Sequence, residues 1–151
     1  MAGSEGSTPL ELVTALYRTT NSLVRELDQR LTRDLDVTFV QAVTLLAIDS
    51  FEQPQPHLVA NYLSQQSQTV TGVLDRVERA GHIKRIRDLS DRRAVRLELT
   101  PSGRRLVDAL KGSLERNLAE VLGGVKEQTR ARMIKDLDEV EASAQTAASR
   151  Q

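Results

Sequence analysis

Between residues 56 and 103 the spacing of apolar side chains runs helical, then alternating, then helical again, and that order leaves few folds open. Leu58, Val59, Tyr62 and Leu63 support a short helix over about residues 56–64. A turn at Gln65 and Gln66 leads to Ser67, an expected N-cap, and to a second helix with Val70, Val73, Leu74, Val77 and Ala80 on its apolar side. Gly81 stops that helix in the manner of a C-cap. Val95, Leu97 and Leu99 then alternate with Arg96 and Glu98 as in a half-buried strand, and residues 83–87 supply an antiparallel partner. The charged stretch between them, residues 88–93, is longer than a minimal hairpin turn and projects as a basic finger.

The flanks read as long amphipathic helices. Thr8-Pro9-Leu10-Glu11 combines a cap, a first-turn proline and a reciprocal Glu, so a helix starts there and runs to about Arg33. Thr38 and Gln41 repeat the capping box for a helix that ends near Phe51. Thr100-Pro101 opens a fifth helix that Gly123-Gly124 stops, and a sixth covers about residues 125–148. The expected fold is therefore mainly α with a small β-hairpin wing: a winged helix-turn-helix with long N- and C-terminal dimerisation helices. Residues 1–7 are expected to form a disordered tail and 8–151 one domain, with 8–36 and 101–148 as dimerisation helices and 37–100 as the DNA-binding lobe. The apolar stripes of Leu10, Val13, Leu114, Leu118, Met133, Ile134, Leu137 and Val140 are candidates for burial against a second copy, giving a homodimer.

Charge is informative only by location. The chain carries 21 basic and 21 acidic residues, yet residues 81–105 hold eight Lys or Arg against three acids, which marks one segment for phosphates. There is no cysteine for a disulfide, thiolate metal site or redox switch. His57 and His82, the two histidines, each sit at a helix boundary, and no P-loop, dinucleotide fingerprint or nucleophile motif accompanies them. No enzyme, cofactor or metal is expected. No apolar run has membrane-spanning length and no signal core is present, so a cytoplasmic protein is expected.

The strings Leu74-Asp75-Arg76-Val77-Glu78-Arg79-Ala80-Gly81-His82-Ile83-Lys84-Arg85, Asp88-Leu89-Ser90-Asp91-Arg92-Arg93 and Leu97-Glu98-Leu99-Thr100-Pro101-Ser102-Gly103 closely resemble the multiple-antibiotic-resistance regulator (MarR) family over about residues 58–106. The resemblance implies a dimeric transcriptional regulator of double-stranded DNA carrying an inverted-repeat operator, a repressor released by a small-molecule effector such as an aromatic acid. The competing expectation is a helical protein-interaction module of the same fold without DNA binding, which an eroded wing would have favoured.

On that resemblance Ser67, Gln68, Thr69, Thr71 and Gly72 face the major groove, where short polar side chains and free amides reach base edges or phosphates. Gly72 stands where a long polar or basic side chain is expected; either base reading is reduced there or the backbone approaches DNA closely. Arg93 is the expected minor-groove arginine, Asp91 its orienting partner, and Arg76, Arg85, Arg87 and Arg92 phosphate contacts. Tyr17, Arg18, Phe39 and His57 are candidates for an effector pocket of aromatic walls and few polar groups.

Overall fold

The structure, a computed structural model, describes residues 6–91 and 94–150. Six helices and one hairpin follow in the order α1 (Pro9–Leu35), α2 (Phe39–Ser50), α3 (Pro56–Tyr62), α4 (Ser67–Arg79), β1 (Ile83–Arg87), β2 (Val95–Leu99), α5 (Pro101–Val121) and α6 (Glu127–Ala148). The mainly helical architecture with a two-stranded wing is the one the sequence predicts. The chain divides into two compact units at Leu114, within α5.

In the first unit both capping boxes form. Thr8 accepts from the Glu11 amide at 3.2 Å while Glu11 accepts from the Thr8 amide at 2.7 Å, and Thr38 and Gln41 exchange the same pair of bonds. The Thr8 amide first and the Thr8 hydroxyl second, both donating to the Glu11 carboxylate, hold that carboxyl below its ordinary value. Helix α1 runs two residues beyond Arg33 because Asp36 takes a left-handed φ of 56° and returns its amide to Thr32 at 3.1 Å. Asp28 then accepts from the Phe39 amide at 2.5 Å, tying the start of α2 to α1.

The core of this unit joins every element. Leu27 and Leu31 of α1 meet Leu45 and Ile48 of α2, Val59 of α3, Val70, Leu74 and Val77 of α4, Ile83 and Leu97 of the hairpin, and Val107 and Leu110 of α5. Burying a side chain of this size stabilises by about 1.5–3 kcal/mol, so α1 and the start of α5 are built into one core with the winged lobe. The hairpin register pairs Ile83 with Leu99 and Arg87 with Val95. The Leu97 amide also donates to the Pro54 carbonyl at 2.8 Å, which straps the loop before α3 to the outer edge of β2.

Several boundaries differ from the expectations. Helix α3 stops at Tyr62 rather than 64, since Ser64 adopts φ 49° and turns the chain into α4. In the second unit α5 ends at Val121, before Gly123-Gly124, and α6 starts at Glu127 rather than 125. Among the described residues no helix is long and apolar enough to cross a membrane. Leu114, expected as a dimer contact, is buried in its own chain and belongs to the core of the first unit. Leu10, Val13, Leu118, Met133, Ile134 and Leu137 are exposed.

Candidate nucleic-acid interface

Helix α4 buries Val70, Val73, Leu74 and Val77 and turns Gln68, Thr69, Thr71, Asp75, Arg76 and Arg79 outward. Its cap differs from the expected one: Gln66, at φ −67° and ψ 142°, occupies the cap position without a side-chain bond, and Ser67 is the first helical residue. The reason lies in the left-handed Ser64, which uses up one more residue of the turn. The first intrahelical acceptor is the Gln66 carbonyl, bonded to the Val70 amide at 3.1 Å. The amides of Ser67, Gln68 and Thr69 thus have no partner in the helix ladder, the condition in which a helix start attracts phosphate oxygens.

What holds the wing against α4 is a knot of backbone and short side chains. Gly81 leaves the helix at φ 83°, a conformation that L side chains rarely adopt. Thr100 donates its hydroxyl to the Gly81 carbonyl at 2.6 Å and its amide to the His82 carbonyl at 3.0 Å, while accepting from the Gly103 amide at 3.0 Å. His82 Nδ1 lies 3.1 Å from Ser102 Oγ. A Cβ on Gly103 would stand 2.9 Å from the His82 carbonyl carbon and run into its oxygen. The Thr100-Pro101-Ser102-Gly103 string is therefore a structural joint: only a residue without a side chain lets the start of α5 close on the strand that leaves α4.

Arg85 forms a second joint. Its guanidinium donates to Asp75 Oδ1 at 2.7 Å and to Glu78 Oε2, bridging β1 to two carboxylates one turn apart on α4. Arg85, expected as a phosphate contact, is half-buried and engages two of its donor nitrogens within the protein. Arg96 is likewise paired, with Glu98 at 2.9 Å. On α4 and β1, Arg76, Arg79, Lys84 and Arg87 are exposed and have no ion pair among the described residues. Arg79 and Lys84 were not among the expected contacts. Counting helical positions from the buried face of α4 would have found Arg79, which lies opposite it.

At the far end of the hairpin Asp88 shapes the loop. Its Oδ1 accepts from the Ser90 hydroxyl at 2.7 Å and the Ser90 amide at 2.9 Å, and these two bonds, the hydroxyl first, hold its carboxyl below the ordinary value. The Asp88 amide donates to the Ala94 carbonyl at 3.0 Å, and the Ala94 amide donates to the Asp91 carbonyl at 3.0 Å. Asp91 is exposed. Arg92 and Arg93 lie outside the described residues.

The four expected effector residues are not brought together. Phe39 lines an apolar cavity of about 290 Å³ with Val24, Val40, Val43, Leu63, Val73 and the polar Thr20, Gln65 and Thr69. Arg18 borders a separate recess on α1, Tyr17 is exposed, and His57 is exposed on α3. The cavity beside Phe39 reaches Thr69 and Val70 in the first turns of α4.

A family model described as MarR family matches residues 35–94. The HTH-type transcriptional regulator TtmR of Methylorubrum extorquens (strain PA1) is 33% identical over 94 residues, which are 62% of this chain and 46% of that protein; the match spans about half the length of that relative. The S. aureus MepR-DNA complex superposes with a TM-score of 0.76 at 25% identity, covering 91% of this chain and 99% of that one. Bordetella bronchiseptica BpsR, whose DNA binding is described as regulated by 6-hydroxynicotinic acid, gives 0.77 at 25% identity over 87% of this chain and 98% of its own.

Proposed function

We infer from the match of residues 35–94 to the MarR family model that this chain is a sequence-specific DNA-binding transcriptional regulator of that family. The observation that carries this is the outward side of α4, which presents an uncapped, polar helix start and the exposed Arg76 and Arg79, with the exposed Lys84 and Arg87 following on opposite faces of β1. Helix α4 enters the major groove, Gln68, Thr69 and Thr71 meet base edges, and the free cations clamp phosphates on either side. Arg93 reaches the minor groove with Asp91 orienting it, and Arg92 adds a phosphate contact. Binding, not catalysis, is the assigned activity. The MepR-DNA complex supports the docking mode, at 25% identity.

The protein acts as a homodimer on an inverted repeat. The exposed Leu10 and Val13 on α1, and Met133, Ile134 and Leu137 on α6, are apolar surface that a second copy would cover. A small aromatic effector releases the DNA, as 6-hydroxynicotinic acid regulates BpsR. The Phe39 cavity suits such a ring, because a ligand there touches Thr69 and Val70 at the root of the reading helix.

Selection of bound sequences from random duplexes, followed by titration at several salt concentrations, tests the reading. The expected result is an inverted repeat with half-site centres about 10 base pairs apart and an affinity that falls steeply with salt, as counterions are released from on the order of ten phosphates. Failure to enrich any sequence, or an affinity indifferent to salt, would overturn it.

A further inference from the structure

The outward face of α4 has a recess at its centre. At about 100° per residue, the side of the helix opposite Val70, Val73, Leu74 and Val77 is centred on Gln68, Gly72, Asp75 and Arg79. Gly72 therefore interrupts a stripe that carries a long polar side chain one turn before it and charged ones a turn or more after it. Neither packing nor backbone geometry asks for a glycine here. A Cβ built on Gly72 meets nothing within 4 Å, and its φ is not in the left-handed region that Gly81 occupies. Glycine in a helix interior weakens the helix by roughly fivefold in its equilibrium relative to alanine, so the fold gains nothing from it.

The neighbouring Thr71 sharpens the chemistry. Its hydroxyl donates its one proton to the Ser67 carbonyl at 2.8 Å, so this exposed side chain offers outward only its methyl and an oxygen that can accept. The open space at the Gly72 Cα, beside a threonine whose hydroxyl proton is already engaged, accepts a small apolar projection and offers it no side-chain hydrogen-bond donor from either residue. The major-groove edges of the bases carry one such projection, the C5-methyl of thymine, which threonine methyls and small side chains contact.

We propose that the recess at Gly72 seats the C5-methyl group of one thymine in each half-site, making Gly72 a specificity-determining position where the α4 backbone approaches the DNA most closely. This rests on the DNA-binding reading above. Uracil in place of thymine removes that methyl and leaves the pairing and hydrogen-bonding edges unchanged, so the test is a uracil scan of the selected duplex with wild type and Gly72→Ala. Wild type loses roughly three- to tenfold in affinity at one thymine per half-site, the scale of one buried methyl. Gly72→Ala unfolds at a higher temperature than wild type, binds the thymine duplex about tenfold more weakly, and no longer distinguishes uracil from thymine at that position. Wild-type affinity in Gly72→Ala, a wild type with no uracil-sensitive position, or uracil sensitivity that survives in the variant would each overturn the proposal. If wild type selects no DNA at all, the regulator reading falls and this inference with it.

Discussion

Arg85 offers the sharpest test of how the wing is held, because a phosphate contact and an internal clamp make opposite demands on it. The structure puts its guanidinium 2.7 Å from Asp75 and in contact with Glu78, with about a quarter of the side chain exposed (27%) and the carboxylates more open at 50% and 38%. Exposed ion pairs are worth about 0.2–1 kcal/mol each, and a forked donor shared by two fixed carboxylates sits toward the upper end, so Arg85→Gln should cost roughly 1–2 kcal/mol of folding stability. That is roughly 2–8 °C in Tm for a chain of this size. The same change leaves Asp75 and Glu78 uncompensated on α4, so if Arg85 is an internal clamp DNA affinity should fall without the loss of any phosphate contact. The triple variant Arg85→Gln, Asp75→Asn, Glu78→Gln, which removes the whole cluster, should therefore recover binding to near the wild-type level. Urea unfolding followed by circular dichroism reads the first effect, and fluorescence anisotropy at stepped salt the second. A contact to phosphate would instead lower the salt slope by about 1 in Arg85→Gln. An unchanged unfolding midpoint combined with that lower slope would refute the clamp.

Gly103→Ala should destabilise by about 1–3 kcal/mol despite alanine's better helix propensity, since its Cβ meets the His82 backbone rather than a movable side chain; an unfolding midpoint at or above wild type would mean the joint can relax. Arg93→Ala should lose roughly 1–3 kcal/mol of operator affinity, and Asp91→Ala should also weaken binding although it removes a negative charge near DNA; tighter binding by Asp91→Ala would show that the two do not act as a pair. The bond from Lys111 to Asp49 at 2.7 Å, with the attraction of that carboxylate behind it, raises the lysine above its ordinary 10.5. Its contribution is complete below that ordinary value and is lost as pH climbs through the raised one, so the small stability gap between wild type and Lys111→Met should close in alkaline urea titrations and persist at neutral pH. Ile134→Lys places a charge on an exposed apolar face of α6 and should shift sedimentation toward monomer, while a dimer of unchanged strength would move the seam elsewhere.

Local rules dictated much of this protein from its sequence alone. Thr8 with Glu11 and Thr38 with Gln41 announce two helix starts because a capping box needs only four consecutive residues. The alternation of Val95, Leu97 and Leu99 announces β2 because one strand face must be buried. Gly81 marks the end of α4 because its left-handed φ excludes most other residues. Where the decision is non-local, the sequence is silent. Ser67 has the chemistry of a cap, but the turn geometry at Ser64 moves the cap to Gln66. Arg85 reads as one more cation in a basic run until the fold brings Asp75 and Glu78, ten and seven residues away, under its two donor nitrogens. Leu114 reads as interface and packs as core, since helical spacing places a residue on a face without naming the neighbour. Thr100 reads with Pro101 as a helix start and Gly103 only as part of a family-like string, and only the closed structure, in which the His82 backbone lies against them, turns Thr100 and Gly103 into the joint that sets the wing beside α4.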